Sequence, residues 1–306
     1  MKGSNMRILK LMTIILCVFL LSCQNRAQPT EKLNYENHPS IKIINSQERT
    51  FHSEIYNHDL TLQIYLPMGY EESDSTFNKY PHLQREGREA YPVLYLLDSD
   101  VYFGMASVIA RLLHWEKKLP GIIIVGISYG LSDWWGERAI DYLPFPYSEL
   151  PASGEASRHL EMYEKELIPY IESNFRADAS HRILFGHSSG GIFPLYALFS
   201  NPELFHGYMP ASLWTSYLTE FFFDIEENYS KNRNDLPAKL FISMAALEQI
   251  DERPEWDRFL DILADRNYNN LTIKRVIIED ESHLSSAPIS LIKGLQWYFS
   301  NERGNI

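Results

Sequence analysis

The sequence predicts an α/β protein built on a mostly parallel central sheet with helices on both faces. Three observations carry this. Short, nearly continuous apolar runs recur along the chain, as strands buried on both faces require. Other stretches return their apolar residues with the helical period. The two kinds of segment alternate, the pattern of a parallel sheet covered by crossover helices.

The first residues stand outside this pattern. "MRILKLMTIILCVFLLSC" (6–23), preceded by Lys2, has basic residues at its start and an apolar run from Leu11 to Leu21. That run is too short to span a bilayer comfortably and reads as a signal-peptide core. It ends in "LLSC", where Ser22 precedes Cys23. This resembles the lipobox of bacterial lipoproteins and predicts lipidation of Cys23, with residues 1–22 removed. Residues 23–40 are polar, lack periodicity and read as a flexible tether. Residues 41–306 carry no internal Pro/Gly/Ser linker and read as one domain.

Within that domain, "DLTLQIYLP" (59–67) alternates polar and apolar residues, a strand with one wet face. "YPVLYLLDS" (91–99) and "GIIIVGIS" (121–128) are buried-strand runs. "SRHLEMYEKELIPYIESNF" (157–175) aligns Leu160, Tyr163, Leu167, Ile168 and Ile171 on one helical stripe. "RILFG" (182–186) is a short strand and the following "GIFPLYALFSN" a helix. "KLFISMAA" (239–246) and "LTIKRVIIE" (271–279) are further strands, with the helix "EWDRFLDILADR" between them. Residues 73–90 read as a polar loop, and 212–236 as an insertion containing the helix-like "YLTEFFFDIEENY".

Charge and cysteines narrow the function. The formal net charge is −12, and losing Lys2, Arg7 and Lys10 with the signal makes it −15, which argues against nucleic acid as a partner. Cys17 lies in the signal, so the mature chain holds no cysteine pair, and no Cys/His metal spacing occurs.

Two stretches fit the G-x-S-x-G pattern of a hydrolase nucleophile: "GISYG" (Gly126–Gly130) and "GHSSG" (Gly186–Gly190). A nucleophile elbow is a sharp turn from strand directly into helix, with glycines permitting the strained backbone. After "GISYG" comes "LSDWWGERAIDYLPFP", without a helical stripe, so Ser128 is expected on a long loop. After "GHSSG" comes an apolar helix, with Pro194 placed in its first turn, so Ser188 is the candidate nucleophile. The acid and histidine of such a site follow the nucleophile in the chain. His283, in "DESHLSS" after the last strand, is the candidate base, whereas His187 is expected to face elsewhere. For the acid, Glu248 sits at a strand's carboxyl end and is preferred, with Asp251 and Asp257 as rivals.

"PVLYLLDSDVYF", "IIIVGISYG" with "RAIDYLP", "ELIPYIESNFR", "ILFGHSSGGIFPLYALFSNPELFHGYMPASLW" and "EDESH" together resemble the esterase family of the α/β-hydrolase superfamily. That family holds esterase D, enterochelin-type siderophore esterases, feruloyl and acetyl carbohydrate esterases, and mycolyltransferases. The resemblance runs over about residues 52–299. It implies the α/β-hydrolase fold and a nucleophile at Ser188 with its base at His283. It also implies oxyanion N–H groups at Ser189 and at the backbone of Asp100, although Ser99 stands where the family often has glycine. The implied activity is hydrolysis of a small-molecule or oligosaccharide ester through an acyl-enzyme, without metal or organic cofactor. Trp214 and Arg138 are candidate substrate contacts, with Trp134, Trp135 and Tyr102 near the same edge; Arg138 alternatively pairs with Asp141 or a neighbouring carboxylate. A lipid-anchored binding protein with a dead site, and an acyltransferase or peptidase on the same fold, are the other classes compatible with the residues.

Overall fold

The computed structural model describes residues 42–70, 90–130, 134–148, 150–213, 220–248 and 253–300. Contacts divide the chain into Met1–Lys42 and Ile43–Ile306, and every described strand and helix lies in the second unit.

One eight-stranded sheet organises it, in the order β1-β2-β4-β3-β5-β6-β7-β8. The strands are β1 (Ser46–Ser53), β2 (His58–Tyr65), β3 (Tyr91–Leu96), β4 (Ile123–Ser128), β5 (Ala177–His187), β6 (Gly207–Ala211), β7 (Asp235–Ala245) and β8 (Asn269–Ile278). β2 pairs antiparallel with both β1 and β4, and every other pairing is parallel. The helices are α1 (Ser99–Trp115), α2 (Trp134–Tyr142), α3 (Ala156–Met162), α4 (Ile168–Asn174), α5 (Ser189–Ser200), α6 (Glu220–Asn232), α7 (Arg253–Arg266) and α8 (Ser286–Tyr298).

Alternation along the buried strands builds a core on each face. β3 sends Val93 and Tyr95 into one cluster and Leu94 and Leu96 into the other. α1 and α8 cover the second face through Phe103, Ala106, Leu113, Leu291 and Leu295. Leu160, Tyr163, Leu167, Phe193 and Trp256, from the other helical segments, fill the first. The parallel strands therefore end on one edge, where their loops meet the starts of the following helices. That edge is where open α/β sheets bind ligands.

Several elements differ from the sequence expectation. The stripe of 157–175 is buried as expected, but the helix is broken into α3, a wider π-type turn at Tyr163–Leu167, and α4. Pro169 at the start of α4 has no N–H to continue the ladder, which accounts for the break. β6, "GYMPA", is not among the expected strands, because it is short and contains Pro210. Its register to β7 skips from Tyr208 to Ala211, so Pro210 is paired on the β5 side alone, opposite Gly186. α2 occupies part of the stretch expected to be loop after Gly130. α5 already begins at Ser189, so Pro194 lies in its second turn, not its first, and frees the carbonyl of Gly190 from the helix ladder.

Candidate active site

Ser188 stands between the end of β5 and the first residue of α5, at φ 59° and ψ −127°. That conformation is unfavourable for a residue with a Cβ, and the surroundings impose it. Ser188 N–H donates to Ala211 O at 3.0 Å, and Gly191 N–H closes back on Ser188 O at 2.9 Å. A Cβ at Gly186 would stand 2.0 Å from Gly190 O, and one at Gly190 would stand 2.5 Å from Asp98 Oδ2. Gly186 is needed because strand and helix cross too closely for a side chain, and Gly190 because the Asp98 carboxylate occupies the space a Cβ would take.

His283 lies in the loop between β8 and α8, and its Nε2 is 2.9 Å from Ser188 Oγ. Its Nδ1 is in close contact with Glu248 Oε1, just past β7. A carboxylate only accepts, so Nδ1 carries the proton and Nε2 is left to accept from the serine hydroxyl. Glu248 Oε2 accepts the Ala245 N–H at 3.1 Å, which ties the acid to its strand end. The two loops are joined directly, since Leu247 N–H donates to Glu281 O at 3.0 Å. Asp257 is turned to Arg275 instead, and Asp251 lies outside the described residues.

His187 does not face elsewhere; its ring packs 4.8 Å from that of His283. His187 Nε2–H donates to the His283 carbonyl at 2.8 Å, so Nδ1 accepts the Tyr102 hydroxyl at 3.0 Å. Burial, reinforced by charge on His283, pushes the His187 pKa down to about 3, so this ring stays neutral. The same carbonyl accepts Ser286 Oγ at 2.8 Å, and Ser212 Oγ donates in turn to Ser286 Oγ at 2.9 Å. The backbone of His283 is thus held by two donors, in a network reached from α1 and β6. Proximity to Ser188 in the chain was the only sequence signal for His187.

The other G-x-S-x-G turn does different work. Ser128 Oγ donates to Asp100 Oδ1 at 2.5 Å, and Tyr129 N–H donates to Asp100 Oδ2 at 2.8 Å. A Cβ at Gly126 would meet Ser99 Cβ at 2.3 Å, so this glycine makes room for α1. Ser99 itself donates to Ile127 O at 2.8 Å. The Asp100 carboxylate therefore fastens the β4 turn to the start of α1. Its N–H and that of Ser189 belong to helix first turns, where backbone donors have no intrahelical partner.

Arg138 is not presented as a substrate contact but pairs with a carboxylate, the expected alternative, with Asp98 in place of Asp141. It is 2% exposed and places Nε 2.5 Å and Nη2 2.6 Å from the two carboxylate oxygens of Asp98, not Asp141. An arginine buried in a bidentate pair supports the turn after β3 and is not presented to a substrate. Asp141 instead accepts the hydroxyls of Tyr56 and Tyr129 at 2.9 and 2.7 Å. Asp98, which the sequence did not single out, adopts φ 54° and presses on Gly190. Trp214 and the indoles of Trp134 and Trp135 lie outside the described residues.

The geometry has counterparts in known proteins. The family model described as "Putative esterase" matches residues 53–280. The chain is 26% identical over 226 residues to the ferri-bacillibactin esterase BesA of Bacillus subtilis, covering 68% of this chain and 78% of the relative. The crystal structure of the BES protein from Bacillus cereus matches with a TM-score of 0.71 at 26% identity, covering 85% of this chain and 96% of that one. An IroE-like serine hydrolase from Shewanella oneidensis gives 0.70 at 25% identity, covering 84% and 80%. With the mostly parallel sheet and the strand–turn–helix at Ser188, these matches place the chain in the esterase family of α/β-hydrolases, as a carboxylic ester hydrolase.

Proposed function

We propose that this protein is a lipid-anchored serine esterase that cleaves siderophore esters, with Ser188 as nucleophile, His283 as base and Glu248 as acid. The observation that carries the assignment is the hydrogen-bonded series Ser188–His283–Glu248 at a strand–turn–helix elbow. Ser188 Oγ attacks the ester carbonyl as its proton passes to His283 Nε2. Glu248 holds the ring in the tautomer that can accept this proton and stabilises the imidazolium. The N–H groups of Ser189 and Asp100 receive the developing oxyanion, and His283 then protonates the departing alcohol. Water, deprotonated by the same nitrogen, releases the acid from the acyl-enzyme. The siderophore substrate is suggested by the names of the relatives, among them the ferri-bacillibactin esterase.

Residues 1–22 act as the export signal, Cys23 carries the lipid, residues 23–40 are the tether and 41–306 form the single esterase domain. Turnover of catecholate and hydroxamate siderophore esters, feruloylated sugars and acetylated xylan, each against Ser188→Ala, tests the activity. Activity confined to carbohydrate esters would reject the substrate, and equal activity in the variant would reject the nucleophile. Expression of Cys23→Ala in a bacterial host should release the protein from the membrane fraction. Retention as firm as that of wild type would point to an uncleaved anchor.

A further inference from the structure

The edge of the sheet that holds Ser188, His283 and Glu248 has a one-sided charge. The described residues that follow β3, β4, β6, β7 and β8 before the next element are 97–98, 129–130, 212–213, 246–248 and 279–285. They contain carboxylates, Glu248, Asp280 and Glu281 among them, and neither lysine nor arginine. Arg138, on α2, is buried against Asp98 and contributes no open positive charge. Arg253 opens α7, two residues before Glu255. Asp280 is exposed and Glu281 half-buried, three and two residues before His283, and Asp100 adds a carboxylate at the start of α1. Glu279 belongs to a different groove, which it lines with Lys274 and Lys293.

A second observation concerns the apolar residues of the same edge. Three of the large apolar side chains left open to solvent are sequence neighbours of site residues. Val101, 47% exposed, follows Asp100; Leu247, 68% exposed, precedes Glu248; Leu284, 72% exposed, follows His283. Exposed apolar side chains gathered at a site favour an apolar ligand surface.

Carboxylates around a cleft with low-dielectric walls repel anions and lower their local concentration. A ferric tris-catecholate carries six phenolate charges against three on iron and is trianionic. An iron-free triester with protonated catechols, or a ferric tris-hydroxamate, is uncharged. We infer that this site selects electroneutral esters with an apolar or aromatic body, and that among siderophore esters it acts on the uncharged ones in preference to trianionic ferric tris-catecholates.

The inference rests on the esterase reading of Ser188, and its test separates the two. The lipidated mature protein in detergent is assayed with p-nitrophenyl methyl adipate, neutral, and p-nitrophenyl hydrogen adipate, its anionic near-isostere. Rates are normalised to hydroxide-catalysed hydrolysis of each ester. At about 10 mM ionic strength, where screening extends over about 30 Å, kcat/KM for the neutral ester should exceed that for the anion by about tenfold or more. At 1 M salt the screening length falls to about 3 Å and the gap should narrow. The double variant Asp280→Asn/Glu281→Gln should raise the anion-to-neutral ratio severalfold at low salt, with turnover of the neutral ester reporting that the variant is folded. An iron-free tris-catecholate trilactone should be cleaved faster than its ferric complex. Equal rates for both adipates at every salt concentration, or faster cleavage of the ferric complex, would overturn the charge selection while leaving the esterase intact. Failure to cleave either adipate above the Ser188→Ala background would overturn the esterase reading itself.

Discussion

Two turns of this chain carry the same five-residue pattern, and their glycines and serines serve different ends. At Gly186–Gly190 the first glycine lets a strand and a helix approach within a side chain's width, the last makes room for the Asp98 carboxylate, and Ser188 is held at φ 59°. At Gly126–Gly130 the first glycine accommodates Ser99 and the second takes φ 75°, while Ser128 ends its strand and is bound to Asp100. One serine hydroxyl faces an imidazole nitrogen; the other faces a carboxylate already shared with a backbone N–H. The motif constrains glycine and serine in sequence, but reactivity comes from the partner that receives the proton.

The comparison is most severely tested by removing each hydroxyl. Ser188→Ala should lower kcat for p-nitrophenyl acetate by about 10⁴ or more. Ser128→Ala should keep most of the turnover and lose about 1–2 kcal/mol of stability, measured by urea unfolding, with the hydrogen bond to Asp100. A Ser128 variant that loses turnover while keeping its stability would break the distinction.

Next in size is the acid behind the histidine. Glu248→Gln should reduce kcat by up to about 10⁴ with little change in KM. Asp257→Asn should be near neutral, because Asp257 is occupied by Arg275. Collapse of the Asp257 variant with Glu248→Gln unharmed would reverse the assignment.

The glycines give a smaller effect, read in stability. Gly186→Ala brings a Cβ against backbone and should cost about 3 kcal/mol or more. Gly130→Ala meets no atom within 4 Å and should cost only the left-handed strain, about 1–2 kcal/mol. Equal costs would mean that the elbow is not the tighter of the two turns.

The smallest effect separates the turns by pH. His187 takes up a proton only at about pH 3 in the folded protein, against 6.5 when unperturbed. Between these values the unfolded chain binds more protons, so this contribution to stability is complete above pH 6.5 and declines as pH falls toward 3. His187→Gln retains a donor and an acceptor without titrating. Its Tm should therefore fall less steeply than wild type below pH 6.5, by about 2–4 °C per pH unit. Identical slopes would show that His187 is not held neutral beside His283.

Legibility in the sequence followed the range of the interactions. Ser188 was legible because strand, glycine turn and helix are contiguous, and His283 because chain order is fixed by the fold. Glu248 is preferred from sequence by its place at a strand end, whereas the occupation of Asp257 by Arg275 was not legible, because Arg275 comes from a different element. That Arg138 pairs with a carboxylate is legible, but which one is not: Asp141 is three residues away, and the partner Asp98 forty. The orientation of His187 is not legible for a similar reason, since the carbonyl it holds returns to the turn only when β8 is in place. In the fold, buried apolar strands and the stripe of 157–175 announced themselves. The polar edge strand β1 and the proline-bearing β6 did not, because neither shows the alternation of a half-buried strand.

The most direct test is covalent labelling with diisopropyl fluorophosphate, followed by mass spectrometry of the digested protein. The phosphoryl group should be found on Ser188 alone, be absent in Ser188→Ala and His283→Ala, and persist in Ser128→Ala. Modification of Ser128, or of Ser188 to the same extent without His283, would contradict the assignment of the two turns.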